Sequence, residues 1–260
     1  MKTRIQEDRI DWELMAEELL DALIWGLGVA MHPTLPHILG WCGNPSQEGR
    51  LRSHLRRLEE KRLLRREKRA DQMVFRLTDA GQLAVWGGRD PQTRWNRRWD
   101  GSWRMVFFDL PESRQATRCR LLRWLHQNDF GFLQQSVWVR PDPIEKFSAA
   151  LDDFRDDVES LTLMNADCCR GYSNAAIVKG AWDFVEINNG YRQYLSMVSK
   201  RQRVLGRAEV ARRDQLQALQ VERHLWKKAI LADPLLPRVL WPKGYLGEEA
   251  WKRRRDILGL

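Results

Sequence analysis

The chain has 260 residues and is 43% hydrophobic, which is enough apolar side chain to build real cores and excludes an intrinsically disordered chain. Its 44 Lys and Arg against 35 Asp and Glu give a formal charge of +9, an excess that predicts a polyanionic partner without identifying it. The charged start of the chain, and the lack of an apolar run near the roughly 20 residues of a membrane span, predict a cytoplasmic protein.

The residue types that usually build metal and catalytic sites are scattered along the chain. The five histidines show neither HExxH nor HxxxH spacing, and no glycine cluster follows the GxGxxG or P-loop pattern. The cysteines form no CxxC pair and have no histidine at zinc-finger spacing. They are Cys42, Cys119, Cys168 and Cys169. We therefore expect reduced thiols, no metal, no cofactor and no enzyme activity.

The N-terminal third has the pattern of a DNA-binding motif. Residues 11–27 carry the apolar stripe of an amphipathic helix, and a second helix is predicted over 47–61. In this second helix Leu51, Leu55 and Leu58 have the spacing of an inward-facing stripe. The segment LLRREKRADQMVFRL then predicts two strands around a charged tip, followed by TDAG. A basic helix followed by a basic hairpin is the order of a winged helix-turn-helix.

The basic side chains of this motif are the candidate DNA contacts. Residues 49–70 contain ten Lys and Arg against three Glu, and such side chains bind phosphates or pair with guanine. The alternative is a solvated basic face without a partner. Arg50, His54 and Arg57 are predicted to face outward, with Arg52 and Arg56 beside them. The full predicted set is Arg50, Arg52, Ser53, His54, Arg56, Arg57, Arg65, Arg66, Lys68 and Arg69.

The remaining chain predicts two further domains. The first predicted domain spans residues 1–88, and a connector rich in Trp and Arg covers 89–102. Trp95 and Trp99 of this connector, and Trp103 directly after it, either stack on bases or, as we expect, hold the first domain to the central one. Strand and helix patterns then follow over 103–175 in the order β-α-β-β-α-β, which is the ferredoxin-like order. Residues 176–260 have helical spacing. The predicted fold class is α+β.

Four blocks of sequence resemble the PaaX family of transcriptional repressors. The blocks are RLTDAG, RWDGSWRMVFFDLPES, FGFLQQSVWVRP and DPLLPRVLWPKGYLGEEA. The resemblance implies an N-terminal winged helix-turn-helix, a central ferredoxin-like domain and a C-terminal helical domain. It also implies a homodimer that represses transcription from a palindromic operator in double-stranded DNA, released by a small effector such as an acyl-CoA.

One carboxylate leaves a second function open. The central block also resembles the small ferredoxin-like nuclease of CRISPR adaptation, through DLPE after the first strand and QSVW in the next hairpin. This resemblance makes Asp109 a catalytic candidate, since two such carboxylates in a dimer would hold Mg²⁺ and activate water for phosphodiester cleavage. The alternative, which we favour, is a carboxylate that caps the following helix. The sequence as a whole favours a DNA-binding regulator over a nuclease.

Overall fold

A computed structural model of the protein describes most of the chain. It covers residues 34–36, 38, 48–109, 114–144, 147, 151, 154, 160–167, 171–205 and 212–258, with the backbone alone at 50, 160, 201–205 and 212–219. The helix predicted over 11–27 lies outside the described residues, as do Cys42, Cys168 and Cys169. Cys119 is a free, exposed thiol.

Helices and two antiparallel sheets make up the described residues, so the predicted α+β class is confirmed. The helices are α1 (Glu48–Glu60), α2 (Asp79–Val85), α3 (Pro91–Asn96), α4 (Gln115–Gln127), α5 (Asn174–Ala181), α6 (Phe184–Leu205), α7 (Arg212–Ala232) and α8 (Gly247–Leu258), with a 3₁₀ turn at Arg238–Leu240. The strands are β1 (Leu64–Arg69), β2 (Gln72–Leu77), β3 (Trp103–Asp109), β4 (Gly131–Gln134), β5 (Val137–Arg140) and β6 (Ser160–Ala166).

The larger sheet has the strand order β4-β5-β3-β6, and every neighbouring pair is antiparallel. Strand β5 therefore lies between β3 and β4, the two strands that α4 connects. This split βαβ arrangement is the ferredoxin-like topology that the sequence predicts. The register places Met105 of β3 opposite Val139 of β5 and Met164 of β6.

Both faces of this sheet are covered by apolar side chains of the chain itself. On one face Val106 and Phe108 pack with Leu121 and Leu125 of α4. Between β5 and β6, where the predicted β-α-β-β-α-β order places a second helix, part of the chain lies outside the described residues. Four side chains from this stretch join the same core, namely Ile144, Phe147, Leu151 and Phe154.

The opposite face of the sheet packs against elements from the C-terminal third. Met105 and Val139 contact a cluster that includes Ile177 and Val178 of α5 and Leu240 of the 3₁₀ turn. Most positions of β3 are buried, and successive apolar residues join opposite cores, as expected for a strand that is covered on both faces.

Contacts group the described residues into two compact units. The first unit combines residues from Met1–Asp90 with Gly190–Leu231 and Leu246–Leu260. The second unit combines residues from Pro91–Asn189 with Ala232–Tyr245. The C-terminal third is helical, as predicted, but it contributes to both units. Among the described residues, no helix has the length and apolar character needed to cross a membrane.

Candidate nucleic-acid interface

Helix α1 has one buried and one exposed face. Leu51, Leu55 and Leu58 are at most 6% exposed and pack in a core with Phe75 of β2 and Val85 of α2. The opposite face presents four of the predicted residues to solvent. These are Arg52, Ser53, Arg56 and Arg57. Burial of the leucine stripe thus leaves the basic face of α1 available to a partner.

A tight turn connects α1 to the hairpin. Arg62 has a φ of +56°, and the N–H of Leu63 donates to the carbonyl of Leu58 at 2.8 Å while the N–H of Arg62 donates to that of Glu59 at 2.8 Å. This is the Schellman pattern, which satisfies carbonyls at the end of a helix. A non-glycine residue in the left-handed position is uncommon, and the turn brings β1 directly after α1.

Strands β1 and β2 form a basic hairpin, the wing. Leu64 pairs with Leu77 at its base and Arg69 with Gln72 at its tip, where Ala70 has a φ of +50°. Val74 also makes an isolated antiparallel bridge with Thr34. The exposed side chains of β1 include four of the predicted residues, namely Arg65, Arg66, Lys68 and Arg69.

Carboxylates pair with several of the exposed arginines. The N–O distances are 2.6 Å for Arg52–Glu48, 3.2 Å for Arg56–Glu60, 2.6 Å for Arg66–Glu59 and 2.7 Å for Arg65–Glu67. Exposed ion pairs of this kind stabilise a fold by at most about 1 kcal/mol each. The carboxylates hold the guanidinium groups in position on the surface. Because each pair contributes little stability, a phosphate can replace the carboxylate at a small cost in free energy.

The RLTDAG block builds the junction between wing and α2. The Thr78 hydroxyl accepts from the N–H of Gly81 at 3.0 Å and donates to the carbonyl of Arg62 at 2.6 Å. The N–H of Thr78 also donates to the carbonyl of Leu63 at 3.0 Å. Thr78 is thus both the N-cap of α2 and the clamp that holds β2 against the turn after α1.

Of the other predicted residues one is less exposed and one has a side chain outside the described residues, and the hairpin adds a further exposed arginine to the basic surface. His54 is half-buried, and of Arg50 only the backbone in α1 is described. Arg76 of β2 is exposed and lies directly opposite Arg65 in the hairpin. Residues opposite each other in an antiparallel pair share a face, so Arg76 lies on the same face of the wing as Arg65.

The catalytic candidate Asp109 is the last residue of β3 and is exposed. It lies opposite Ser160 of β6. The segment 110–113, which would begin the helix that Asp109 was expected to cap, lies outside the described residues. Within the described part of the chain, no group of three or more His, Cys, Asp or Glu side chains is arranged to hold a metal ion.

The aromatic residues of the connector are packed rather than open to bases. Trp95 is 1% exposed and lies edge-on to Trp241 at 5.5 Å, and Trp103 is 2% exposed and donates from Nε1 to Asn174 at 2.9 Å. Trp99 lies 5.4 Å from Trp103. The contacts described for these three rings lie within the second unit. Buried rings of this kind do not stack on nucleic-acid bases.

A pocket of about 500 Å³ opens in the second unit, between α5, the start of α6 and the segment after the 3₁₀ turn. Its wall is mainly apolar and aromatic, and two lysines also line it. The residues that define it include Val178, Lys179, Trp182, Phe184, Trp241 and Lys243. Its volume is in the range of small-molecule sites.

Comparison with known proteins agrees with the sequence resemblance. Residues 96–178 match the family model described as the PaaX protein central Cas2-like domain, and residues 182–257 match that of the PaaX-like protein C-terminal domain. No curated protein matches the chain. The solved structure of the uncharacterized protein Rv0674 from Mycobacterium tuberculosis is 24% identical, with a TM-score of 0.50 over 82% of this chain and 80% of that one, and shows a shared fold. The two family models together cover more than half of the sequence, so the chain belongs to the PaaX family of transcriptional regulators.

Proposed function

We propose that the protein is a repressor that binds a palindromic operator in double-stranded DNA as a homodimer. The observation that carries this proposal is the exposed face of α1, with Arg52, Arg56 and Arg57, followed directly by the exposed basic wing. In a winged helix-turn-helix such a helix enters the major groove and the wing contacts the backbone beside it. Membership of a family of DNA-binding regulators supports the same function.

Charge supplies the affinity in this proposal. Each Lys or Arg that neutralises a phosphate releases condensed counterions, so binding falls as salt rises. An Arg on α1 that reaches a guanine adds sequence selectivity through two parallel hydrogen bonds. The wing residues Lys68 and Arg69 at the tip are the expected phosphate contacts.

Selection from a random duplex pool, followed by titration, tests this function. We expect the enriched motif to be palindromic, and Arg52→Ala and Arg57→Ala to weaken binding to it by about 1 to 3 kcal/mol if the side chain contacts a base. Lys68→Ala should weaken binding to all sequences alike and reduce the salt slope by about 1. Arg118→Ala, which removes an exposed charge from α4 in the second unit, is the matched control and should bind as the wild type does. Unchanged affinity in the three test variants would contradict the assignment.

We further propose that the pocket beside α5 binds the effector that releases the DNA. Trp182, Phe184 and Trp241 offer a surface for an apolar acyl or aryl group, and Lys179 and Lys243 carry charge that suits an anionic carrier such as a CoA thioester. Lys179→Ala with Lys243→Ala should abolish release of the operator by an added acyl-CoA and leave DNA binding intact. Release that persists in this double variant would place the effector elsewhere.

The competing function, a nuclease that uses Asp109, has a direct test. We expect DNA and RNA to stay intact when the purified protein is incubated with Mg²⁺ or Mn²⁺. The reason is that phosphodiester cleavage needs a firmly held metal ion or a second acid–base group. Within the described part of the chain Asp109 belongs to no group of three or more His, Cys, Asp or Glu side chains that could hold a metal ion. Cleavage that disappears in Asp109→Ala at matched purity would replace the regulator with an enzyme.

A further inference from the structure

The C-terminal end of α2 is held by buried side chains from the C-terminal helices. Arg254 of α8 is fully buried and donates from Nη2 to the carbonyl of Val85 at 2.7 Å. Trp226 of α7 donates from Nε1 to the next carbonyl, that of Trp86, at 2.9 Å. Carbonyls at the end of a helix have no partner within it and carry partial negative charge, so a guanidinium stabilises that position.

A carboxylate compensates the charge of Arg254. Glu222 of α7 is 1% exposed, accepts from Arg254 Nη1, and also accepts at 2.7 Å from the hydroxyl of Tyr194 on α6. Burial, followed by the Glu222 charge, raises the pKa of Tyr194 above its usual range, so this hydroxyl stays a donor. The guanidinium is thereby shared between a carboxylate and the backbone of α2, within the first unit.

Apolar contacts tie the same helices to α1. Leu258, at the end of α8, belongs to the core that contains Leu51, Leu55 and Val85. Trp251 of α8 lies 5.5 Å edge-on to Trp86, and its ring is stacked on Trp226 at 5.5 Å. The backbone approaches closely at Gly87, which has a φ of +87° and where an added Cβ would lie 2.8 Å from Ile230.

From these contacts we infer that α8 is a structural part of the DNA-binding unit and that Arg254 is a positioning residue for DNA binding. This inference rests on the proposed function of α1. Val85 is fully buried beside the leucine stripe of α1, so the site that Arg254 anchors and the helix that would read DNA share one core. Loss of the anchor lets the end of α2 shift, and in a close-packed core α1 shifts with it.

Arg253 supplies a matched control for Arg254. It is the preceding residue of α8 and is exposed, so Arg253→Met removes the same charge from nearly the same place without touching the buried network. We expect Arg254→Met in the full-length protein to weaken operator binding by about tenfold or more, and Arg253→Met to stay within about threefold of wild type. A separate titration at DNA concentrations well above the Kd gives the fraction of protein that is active. All binding is measured below the melting temperature of each variant.

A double variant separates an effect of Arg254 on the position of α1 from its effect on the stability of the fold. Arg254→Met leaves Glu222 buried without its partner, which lowers stability, whereas Glu222→Gln with Arg254→Met removes that unpaired charge but does not restore the bond to Val85. We expect the double variant to regain a higher melting temperature than Arg254→Met while its Kd for the operator stays raised. A double variant with wild-type Kd, or an Arg254→Met whose active fraction falls while its Kd is unchanged, would overturn the inference. If the wild type itself selects no duplex, the proposed function fails instead.

Discussion

Gly81 occupies a position where no side chain fits. A Cβ built there would lie 2.0 Å from the carbonyl oxygen of Leu63, which itself accepts a hydrogen bond from the N–H of Thr78. The backbone of α2 therefore passes directly against the start of the wing. The last residue of the RLTDAG block is thus a steric requirement for the contact between α2 and the start of the wing.

We expect Gly81→Ala to lower the free energy of unfolding by about 3 kcal/mol, because backbone atoms must move to admit the methyl group. Gly49→Ala is the control. Gly49 lies in α1 with no atom within 4 Å of a built Cβ, so alanine there should be neutral or stabilise by up to about 1 kcal/mol. Denaturant unfolding measures both. Equal stability of the two variants would show that the backbone around Gly81 moves to admit the methyl group without a loss in the free energy of unfolding.

Single residues were predictable from the sequence where their role is local. The stripe of Leu51, Leu55 and Leu58 follows from helical periodicity, and all three are buried. The role of Gly81 depends on an approach to Leu63, eighteen positions earlier, which no local pattern contains. His54 was expected to face outward but is half-buried, because a position beside a wide apolar stripe is decided by neighbouring elements.

At the scale of elements, charged side chains link the residue that follows α3 to the end of β5 and the turn after it. Arg97 donates from Nε to one carboxylate oxygen of Asp142 and from Nη2 to the other at 3.0 Å. Nη2 of Arg140 lies 3.1 Å from this second oxygen. Burial alone would raise the pKa of Asp142, but the hydrogen bonds and charges of the arginines outweigh burial and leave this pKa below its ordinary value.

This lowered pKa predicts how stability depends on pH. A carboxyl whose pKa falls on folding contributes stability above its unfolded pKa, and that contribution is lost as pH falls through the folded value. We expect Asp142→Asn to lower the free energy of unfolding by about 3 kcal/mol near neutral pH, since it leaves buried arginines uncompensated. The difference from wild type should shrink below about pH 4.

Unfolding curves of wild type and Asp142→Asn between pH 7 and pH 3 measure this effect. Asp71→Asn, at the exposed tip of the wing, is the control and should follow wild type across the range. A difference between Asp142→Asn and wild type that stays constant with pH would show that the stability of the cluster does not depend on the ionised carboxylate.

Elements were more predictable than the contacts between them. The strand predicted at the start of the central region is present as β3, and the hairpin and the β-α-β-β order follow from alternation and turn residues. Helix α3 begins at Pro91, a residue suited to the first turn of a helix, although the composition of the connector indicated a loop. The pairing of Arg97 with Asp142 joins positions 45 apart in the sequence, so the periodicity of helices and strands cannot predict it.

At the scale of the whole molecule, segments distant in sequence meet within each unit. The first unit joins α1 and α2 to α8 through Arg254 and Leu258. The second unit joins the connector to the DPLLPRVLWPKGY block, where Trp95 meets Trp241 and Tyr245. Two of the four blocks that resemble the family take part in these close contacts, since RLTDAG contains the Gly81 junction and DPLLPRVLWPKGYLGEEA contains Trp241 and Tyr245.

The proposed homodimer on a palindrome predicts a defined spacing between the two half-sites of the operator. Two copies of α1 held by a dimer reach adjacent major grooves only when the half-sites lie about one helical turn, or a multiple of it, apart. Inserting 5 base pairs at the centre of the selected operator rotates one half-site by about half a turn of B-DNA, whose repeat is roughly 10 base pairs. We expect this insertion to weaken binding about 100-fold or more, because the second half-site loses its effective concentration. An insertion of 10 base pairs restores the rotational phase and should recover part of the affinity. Light scattering gives the mass of the free protein and of each complex. A monomer in solution, or equal affinity for the operator and its 5-base-pair variant, would show that each chain reads DNA alone.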